Sequence, residues 1–193
     1  MPRAGLSTQR VVAEAAAVAD EVGWERLSLA AVAARVGVRL PSLYKHIASL
    51  DALRTEVSVL GLRQLGQAMT AAAVGRSGSD ALVAVAEAYR GYAQEHPGRY
   101  AATLAAPLKD NHEHVQAAAA VLRVVEAILD GYGLTGDDTV DAIRSLRALL
   151  HGFVSLEAAG GFRMPVDVDR SYDRLVAGFD ATLRSWAEGA TAP

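Results

Sequence analysis

Side chains that bind phosphate groups and base edges are concentrated between positions 39 and 49. Arginine and lysine pair with phosphate oxygens, serine and tyrosine hydroxyls donate hydrogen bonds to them, and arginine also reads the edges of guanine bases. Apolar side chains in such a surface contact thymine methyl groups. The pattern favours a DNA-binding surface formed by these residues: Arg39, Leu40, Pro41, Ser42, Tyr44, Lys45, His46 and Ser49.

Two short helices separated by one glycine would position these side chains. Ser28 can cap the first helix by accepting a hydrogen bond from a free amide, and it is counted among the DNA-binding candidates. Gly37 can adopt the positive φ that a sharp break requires, and Pro41 fits the first turn of the second helix. The first helix has apolar residues at the spacing of one helical face: Leu29, Val32, Ala33 and Val36. This arrangement is typical of a helix-turn-helix.

Flanking helices are expected to complete a small core around this pair. Helical periodicity extends over residues 8–22 and ends at Gly23, and Ser49 can cap a helix that begins directly after it. The start of that helix offers free amides and a partial positive charge to a phosphate group. Trp24 and Leu27 lie in the connection, where they would cover the shared core.

The motif around the glycine has a specific pattern. The segment Gly37-Val38-x-x-Pro41-Ser42-Leu43-Tyr44-x-His46 follows a capped helix and precedes Ser49-x-Asp51-Ala52-Leu53. In these features residues 8–53 resemble the TetR family of bacterial transcriptional regulators. The resemblance implies an all-helical homodimer whose third helix enters the major groove and whose C-terminal domain binds a small ligand and releases DNA. It therefore predicts a ligand-responsive repressor at a palindromic operator, with a DNA-binding domain over residues 1–53 and a ligand-binding and dimerisation domain over residues 54–193.

Two positions depart from the family pattern. Many members carry a lysine where Leu50 stands, and often a polar residue where Leu40 stands. The phosphate contacts are therefore expected to fall on Tyr44, Lys45 and the amides that follow Ser49. Sequence readout is assigned to Arg39, Leu40, Pro41 and Ser42. A helical interaction protein whose head has lost DNA binding remains an alternative.

Composition and charge are compatible with this interpretation. The 193 residues are 51% hydrophobic and carry a net charge of −3, but residues 1–54 hold seven basic and five acidic side chains, which leaves −5 for the remainder. The positive end is the one that would neutralise phosphates, and Arg3 in the N-terminal arm can reach a phosphate or the minor groove. The absence of cysteine and of an apolar run of ~20 residues indicates a soluble, cytoplasmic protein without a thiolate metal site.

Helical periodicity continues beyond residue 53, and strand alternation is absent. Breaks rich in glycine and proline divide the sequence into six further segments: residues 49–74, 80–95, 97–105, 111–130, 137–159 and 169–188. We expect these helices to form a bundle, so that the fold class is all-α, with a three-helix head and a C-terminal helical body. The long helix that begins after Ser49 would link head and body as a lever.

The last two helices carry apolar stripes that predict a dimer surface. In the final helix the stripe resembles a coiled-coil seam, and in the TetR family two helices from each subunit form a four-helix dimer bundle. The segment His151-Gly152-Phe153-x-x-Leu156-Glu157-x-x-Gly160-x-Phe162 resembles the WHG type of TetR C-terminal domain, with Leu150 in place of the usual aromatic residue. The predicted interface residues are Phe153, Leu156, Glu157, Tyr172, Leu175, Phe179, Leu183 and Trp186. The alternative is that these stripes belong in part to the core of one subunit.

Candidate ligand-binding residues lie on helices that surround a cavity in the TetR family. They are Met69, Tyr89, Tyr92, Tyr100, Leu104, Leu122 and His151. Small ligands usually occupy an apolar cavity with a few polar groups, although aromatic residues at helical spacing also form plain core. His151, beside Gly152, is expected to be a hydrogen-bonded buried histidine at the boundary of the pocket or the dimer surface.

Metal and catalytic sites are not indicated by the sequence. His112 and His114 lack the i, i+4 spacing of a helical zinc pair, so we expect a solvated helix start there and neither a metal nor a cofactor. An enzyme would need a convergent nucleophile, base or metal cluster, and the chain has no Gly-x-Ser-x-Gly and no phosphate-binding glycine loop. The acidic residues that begin one helix are explained by the helix dipole: Asp137, Asp138 and Asp141.

Overall fold

Nine α-helices and one short 3-10 turn form the regular structure of residues 6–190, the part of the chain that the computed structural model describes. No strand occurs within those residues, so the all-α fold class is confirmed. Arg3, a candidate DNA contact, lies outside the described residues. The helices are α1 (Thr8–Val22), α2 (Leu29–Val36), α3 (Leu40–Leu43), α4 (Leu50–Ala73), α5 (Gly78–Glu95), α6 (Pro97–Ala102), α7 (His112–Asp130), α8 (Asp137–Ala158) and α9 (Val168–Ala190), and the 3-10 turn is Trp24–Arg26.

The helix bounds agree closely with the periodicity of the sequence. α1 begins and ends at the predicted residues, and the bounds of the six later helices differ from the prediction by at most three residues. The largest difference is at α6, which ends at Ala102 because the amide and hydroxyl of Thr103 donate to the carbonyl of Tyr100 at 2.9 and 2.7 Å. The amide bond closes a 3-10 turn in place of the i→i−4 bond that would continue the α-helix.

The chain divides into two compact units, and the first contains the helix-turn-helix. Of the described residues, it comprises 6–65 and 95–119. Leu27 is buried against its core and Trp24 is half-buried there, as the sequence predicted. The core is formed by apolar side chains from α1, α2, α3, α4 and α6: Val11, Ala15, Val32, Leu43, Leu53, Val57 and Ala102.

Helix α6 belongs to this first unit because it packs against the end of α1. The amide of Arg99 donates to Asp20 Oδ1 at 2.8 Å, and Arg99 Nε lies 3.0 Å from Asp20 Oδ2. Gly98 stands at the contact with α1, and a Cβ atom at Gly61 of α4 would lie 2.8 Å from the carbonyl oxygen of Arg99. Sequence reasoning missed these contacts; Arg99 and Asp20, for example, are 79 residues apart in the chain. The functional boundary after residue 53 stays a prediction, since a compact unit is not a functional domain.

The second unit comprises residues 66–94 and 120–190 of the described chain. Asp180 on α9 accepts hydrogen bonds from the hydroxyls of Tyr132 and Ser79 at 2.5 and 2.6 Å, and Arg184 Nε lies 3.1 Å away. Burial alone would raise the pKa of Asp180, but these hydrogen bonds outweigh burial and hold that pKa below its ordinary value. Buried apolar side chains include Leu82, Val85, Leu129, Leu146, Leu150 and Leu183. Within residues 6–190, no helix is long and apolar enough to cross a membrane.

Candidate nucleic-acid interface

The turn between α2 and α3 is built by local hydrogen bonds. Ser28 Oγ accepts a hydrogen bond from the amide of Ala31 at 3.2 Å, which caps α2. Gly37 has a φ of 74°, and its left-handed conformation lets the amide of Val38 donate to the carbonyl of Ala33 at 3.0 Å. The chain then re-enters a helix at Leu40. The predicted helix-turn-helix is therefore present.

The second helix of this motif is short. α3 spans only Leu40–Leu43, with Pro41 in its first turn, and residues 44–46 continue as a turn. The amide of His46 donates to the carbonyl of Leu43 at 2.9 Å, so the turn stays tightly wound. Leu43 and Ile47 are buried, which anchors this segment to the core. Regular helix thus covers three of the residues that were assigned to sequence readout, Leu40, Pro41 and Ser42, and Arg39 directly precedes it.

The candidate DNA contacts on this segment are mostly exposed. Leu40 exposes 37% of its surface and Tyr44 52%, and such apolar exposure next to charged side chains suits contact with bases and sugars. The remaining exposed candidates are Arg39, Pro41, Lys45 and Ser49, whereas Ser28, Ser42 and His46 are half-buried. Their individual roles stay predictions.

The first turn of α1 lies beside the end of the α3 segment. The hydroxyl of Thr8 donates a hydrogen bond to the carbonyl of His46 at 3.3 Å. Ser7 caps α1 by accepting from the amide of Arg10 at 3.2 Å. Sequence reasoning assigned no role to Thr8, because its partner lies 38 residues away. The contact fixes where the α3 segment ends relative to α1.

The start of α4 is capped as the sequence predicted. Ser49 Oγ accepts a hydrogen bond from the amide of Ala52 at 3.0 Å. Leu50 is half-buried and packs against the core of the first unit. A residue in that position stabilises the head by burial, which is a physical reason for leucine in place of the lysine that the resemblance implied. The amides of Leu50 and Asp51, in the first turn of α4, have no partner within the helix and can donate hydrogen bonds to a phosphate group.

Two arginines of the head are occupied by contacts within the chain. Arg35 Nη1 lies 2.6 Å from Glu21 Oε2 and its Nε lies 3.2 Å from Glu14 Oε2; the hydrogen bond with Glu21 raises the pKa of Arg35. The guanidinium of Arg54 lies 5.5 Å from the ring centroid of Trp24, in cation–π contact. By contrast, Arg39 and Lys45 are exposed and form no ion pair within residues 6–190.

The candidate ligand-binding residues fall into both units. Met69, Tyr89 and Tyr92 are buried in the second unit, and Tyr100 is buried in the first. Two leucines are exposed: Leu104 in the first unit and Leu122 in the second. His151 is half-buried, and its Nδ1 lies 3.3 Å from Ser155 Oγ. A role in ligand binding stays a prediction for each of them.

The prediction of a solvated helix start is wrong for His114. His112 is exposed, but His114 is buried, with Nε2 2.9 Å from Ser58 Oγ and the amide of Leu108 donating to Nδ1 at 3.4 Å. Burial lowers the pKa of His114. His114 lies three residues before Ala117, which is also buried, so the two share one helical face. That spacing was the signal in the sequence for the burial of His114. No group of three or more metal-ligating side chains is present among the described residues.

The candidate dimer residues divide between the protomer core and its surface. Leu156 is 55% exposed and Leu175 and Trp186 are half-buried, whereas the carboxylate of Glu157 binds Arg90 of the same chain. The others are buried within the protomer: Phe153, Tyr172, Phe179 and Leu183. These stripes are therefore in part the core of one subunit, and the residues available to a partner are those that remain exposed.

Comparison with known proteins decides the family. A family model described as "Tetracyclin repressor-like, C-terminal domain" matches residues 82–179. The HTH-type transcriptional regulator Rv0681 of Mycobacterium tuberculosis is 36% identical over 98% of this chain and 87% of its own length. The chain belongs to the TetR family. It is a TetR-family DNA-binding transcriptional regulator, as the helix-turn-helix predicted.

Further relatives agree with this assignment. The HTH-type transcriptional regulator YobS of Bacillus subtilis is 36% identical over 86% of this TetR-family chain and 87% of its own length. A solved structure of TetR-Q116A from Acinetobacter baumannii in complex with minocycline has a TM-score of 0.62 and 21% identity, covering 96% of each chain. That similarity concerns the fold. The sequence relatives are transcriptional regulators, which are typically not enzymes.

Proposed function

We propose that this regulator is a ligand-responsive repressor that binds a palindromic operator as a homodimer in the cytoplasm. The observation that carries the proposal is the exposure of Arg39 and Lys45 on the α3 segment, without an ion pair inside the described chain. One such segment reads only a few base pairs, so specificity calls for a two-fold pair that reads half-sites ~34 Å apart. Palindromic DNA matches that symmetry.

The proposed contacts divide by chemistry. Lys45 and Tyr44 bind phosphates together with the amides after Ser49, because a charged or hydroxyl donor and a helix start both suit an anion. Base edges are read by Arg39 and Ser42 through hydrogen bonds and by Leu40 through a thymine methyl. Ser28, Pro41 and His46 complete the proposed DNA-binding surface. Ser28 caps α2, and Pro41 and His46 belong to the α3 segment.

The proposed response to a ligand uses the contact between α6 and α1. Arg99 holds Asp20 at the end of α1 through its amide and its guanidinium, at 2.8 and 3.0 Å. A shift of α6 would therefore move α1, which carries the Thr8 contact to His46. The solved TetR-Q116A holds minocycline, and a small-molecule effector is proposed for this chain by analogy. Its candidate contacts are Met69, Tyr89, Tyr92, Tyr100, Leu104, Leu122 and His151.

The proposed dimer uses the exposed faces of α8 and α9. Small residues line these faces, so helices of a second copy can approach closely: exposed Ala148 and half-buried Gly152 on α8, and exposed Ala177 and Ala181 on α9. Leu156 adds exposed apolar area at the end of α8. The variant Leu156→Glu should dissociate the dimer in sedimentation without unfolding the chain, because the side chain is largely outside the protomer core.

Selection of binding sites from random double-stranded DNA tests the proposal. We expect a palindrome of two half-sites centred about 10 base pairs apart. The double variant Arg39→Ala with Lys45→Ala is the matched control, and it should enrich no sequence. Small molecules can then be screened for release of the selected DNA. Recovery of no palindrome with the unmodified protein would overturn the proposed function.

A further inference from the structure

Arg90 on α5 binds two carboxylates that belong to different helices. Its Nε and Nη2 donate to the carboxylate of Glu157 on α8 at 2.9 and 2.5 Å, and Nη2 also donates to Asp169 on α9 at 2.7 Å. The guanidinium carbon lies 4.8 Å from the ring centroid of Tyr172 and 5.6 Å from that of Phe153. Arg90 and Glu157 are largely desolvated, with 13% and 20% of their side chains exposed, whereas Asp169 is 76% exposed.

This cluster fixes both ends of the connection between α8 and α9. Glu157 lies in the last turn of α8 and Asp169 in the first turn of α9, so one guanidinium holds the two helices together across residues 159–167. Without Arg90 the negative charges of Glu157 and Asp169 would repel each other, since the side-chain hydrogen bond between Gln94 and Glu157 supplies no positive charge. The hydrogen bond with Arg90 lowers the pKa of Glu157, in keeping with a charged pair.

The connection also folds back onto the cluster. The ring of Phe162 lies 4.7 Å from that of Phe153, centroid to centroid, and Phe153 in turn lies 4.9 Å from Tyr172. The amide of Gly161 donates to the carbonyl of Leu156 at 2.8 Å. The course of the connection is therefore set by contacts that begin at Arg90 and its two aromatic neighbours.

Apolar side chains at the end of α8 and in the connection face solvent. Met164 is 83% exposed, and Leu156, Phe162 and Val166 are also exposed; we name these four residues the connection patch. Exposed apolar side chains that lie close together are typical of protein interaction surfaces. The patch begins at Leu156 in the last turn of α8, whose exposed face is part of the proposed dimer surface. Because the patch is continuous with that proposed dimer face at Leu156, a second copy of this chain, related by a two-fold axis, is the partner that fits it.

We propose that Arg90 is a positioning residue for the homodimer: by holding Glu157 and Asp169 it orders the connection patch for contact with a second copy of the chain. This inference rests on the proposed homodimer. The sequence predicted that Glu157 contacts the partner. In this proposal its carboxylate binds Arg90 of the same protomer and acts on the interface only through Arg90. The residue that contacts the partner is then Met164 or its neighbours in the patch.

The absence of cysteine allows a direct test, because Met164→Cys introduces the only thiol. A nitroxide on that thiol reports the distance between the two patches of a dimer by pulsed electron paramagnetic resonance. We expect a narrow distance distribution in the labelled Met164→Cys chain that retains Arg90. In Arg90→Gln the distribution should broaden, and the dimer dissociation constant, measured by sedimentation, should rise at least tenfold. Arg90→Lys should give a distance distribution and a dissociation constant between those of the unmodified chain and those of Arg90→Gln. Lysine can pair with one carboxylate but lacks the bidentate fork.

Controls separate positioning from general loss of structure. Arg123→Gln removes an exposed arginine from α7 and should change neither measurement. A nitroxide at exposed Ala127 should keep its spectrum in Arg90→Gln if the bundle is intact. If Arg90→Gln does not fold, Asp169→Asn decides, because it removes only the contact to the exposed start of α9, and it should broaden the distribution in the same direction.

Two results would overturn the inference, and they differ. A wild-type chain that stays monomeric at all concentrations removes the homodimer and this inference with it. A wild-type dimer whose distance distribution and dissociation constant are unchanged in both Arg90→Gln and Asp169→Asn keeps the homodimer but removes the positioning role of Arg90.

Discussion

Gly98 packs against Ala19 with no room for a side chain between them. A Cβ atom at position 98 would lie 2.5 Å from the amide nitrogen of Asp20 and closer still to the carbonyl group of Ala19. Because both neighbours are backbone atoms, they cannot move aside as a flexible side chain would. Helix α6 and the end of α1 are therefore in direct backbone contact.

Gly98→Ala should destabilise the first unit. The added methyl group forces α6 away from α1, and overpacking of this kind costs about 1–3 kcal/mol of unfolding free energy. Urea unfolding followed by circular dichroism measures the change. Gly91→Ala is the matched control, since a Cβ atom there meets nothing within 4 Å and alanine stabilises a helix interior by ~0.5–1 kcal/mol. Equal shifts of the same sign in both variants would contradict the close packing at position 98.

Lys45→Ala should weaken binding to all DNA sequences to a similar extent. A phosphate contact releases counterions, so the slope of log K against log salt should fall in magnitude by about one. The measurement is a titration of operator and non-operator DNA at several salt concentrations. Arg35→Ala should leave the slope unchanged, because Arg35 is paired with Glu14 and Glu21. A Lys45→Ala slope equal to that of the unmodified protein would remove Lys45 from the contacts.

Leu40 should read a thymine methyl group in the selected operator. Replacing that thymine by deoxyuridine removes only the methyl group, so the unmodified protein should bind more weakly to the substituted DNA. Leu40→Ala should bind the two DNAs with nearly equal affinity. Competition binding with each operator thymine replaced in turn finds the position. If no replacement changes affinity, Leu40 does not take part in base readout.

His114 should make stability depend on pH. Its folded-state pKa lies below its ordinary value of 6.5, because burial disfavours the charged form. As the pH falls below about 6.5, the unfolded chain gains a proton that the folded chain does not. The unfolding free energy should then decrease, by at most ~1.4 kcal/mol per pH unit for one proton, until the folded-state pKa is reached.

His114→Gln should flatten this dependence, because glutamine does not titrate. Denaturant unfolding between pH 7 and the acid transition measures it. His112→Gln serves as the control, since His112 is exposed at the same helix start and should leave the slope as it is. An unaltered slope in His114→Gln would show that another group is responsible.

Much of the fold was predictable because it is local. Caps at Ser28 and Ser49, the left-handed turn at Gly37 and the ends of the long helices depend on residues within one or two turns of each other. The exposed side of the α3 segment followed from the same reasoning, since burial of Leu43 and Ile47 leaves the alternate residues outside.

The candidate site was less predictable where a residue's partner is distant in the chain. Counting charges gave the head an excess of cations, but Arg35 is bound by acids 14 and 21 residues away. His114 was expected in solvent, yet it meets Ser58 across 56 residues. Glu157 was expected to face a partner subunit, and its carboxylate instead binds Arg90, 67 residues away. No local pattern contains such pairs.

By itself, the sequence determined the all-helical class, the helix-turn-helix and the membership of the TetR family. These depend on hydrophobic periodicity and on turn chemistry, which act between near neighbours in the chain. Only the tertiary structure decided that α6 docks on α1 at Gly98, that most of the α9 stripe lies inside the protomer, and which charged side chains stay available. Those outcomes depend on which helices meet, and a side chain that finds a partner within its own fold is no longer free to bind another molecule.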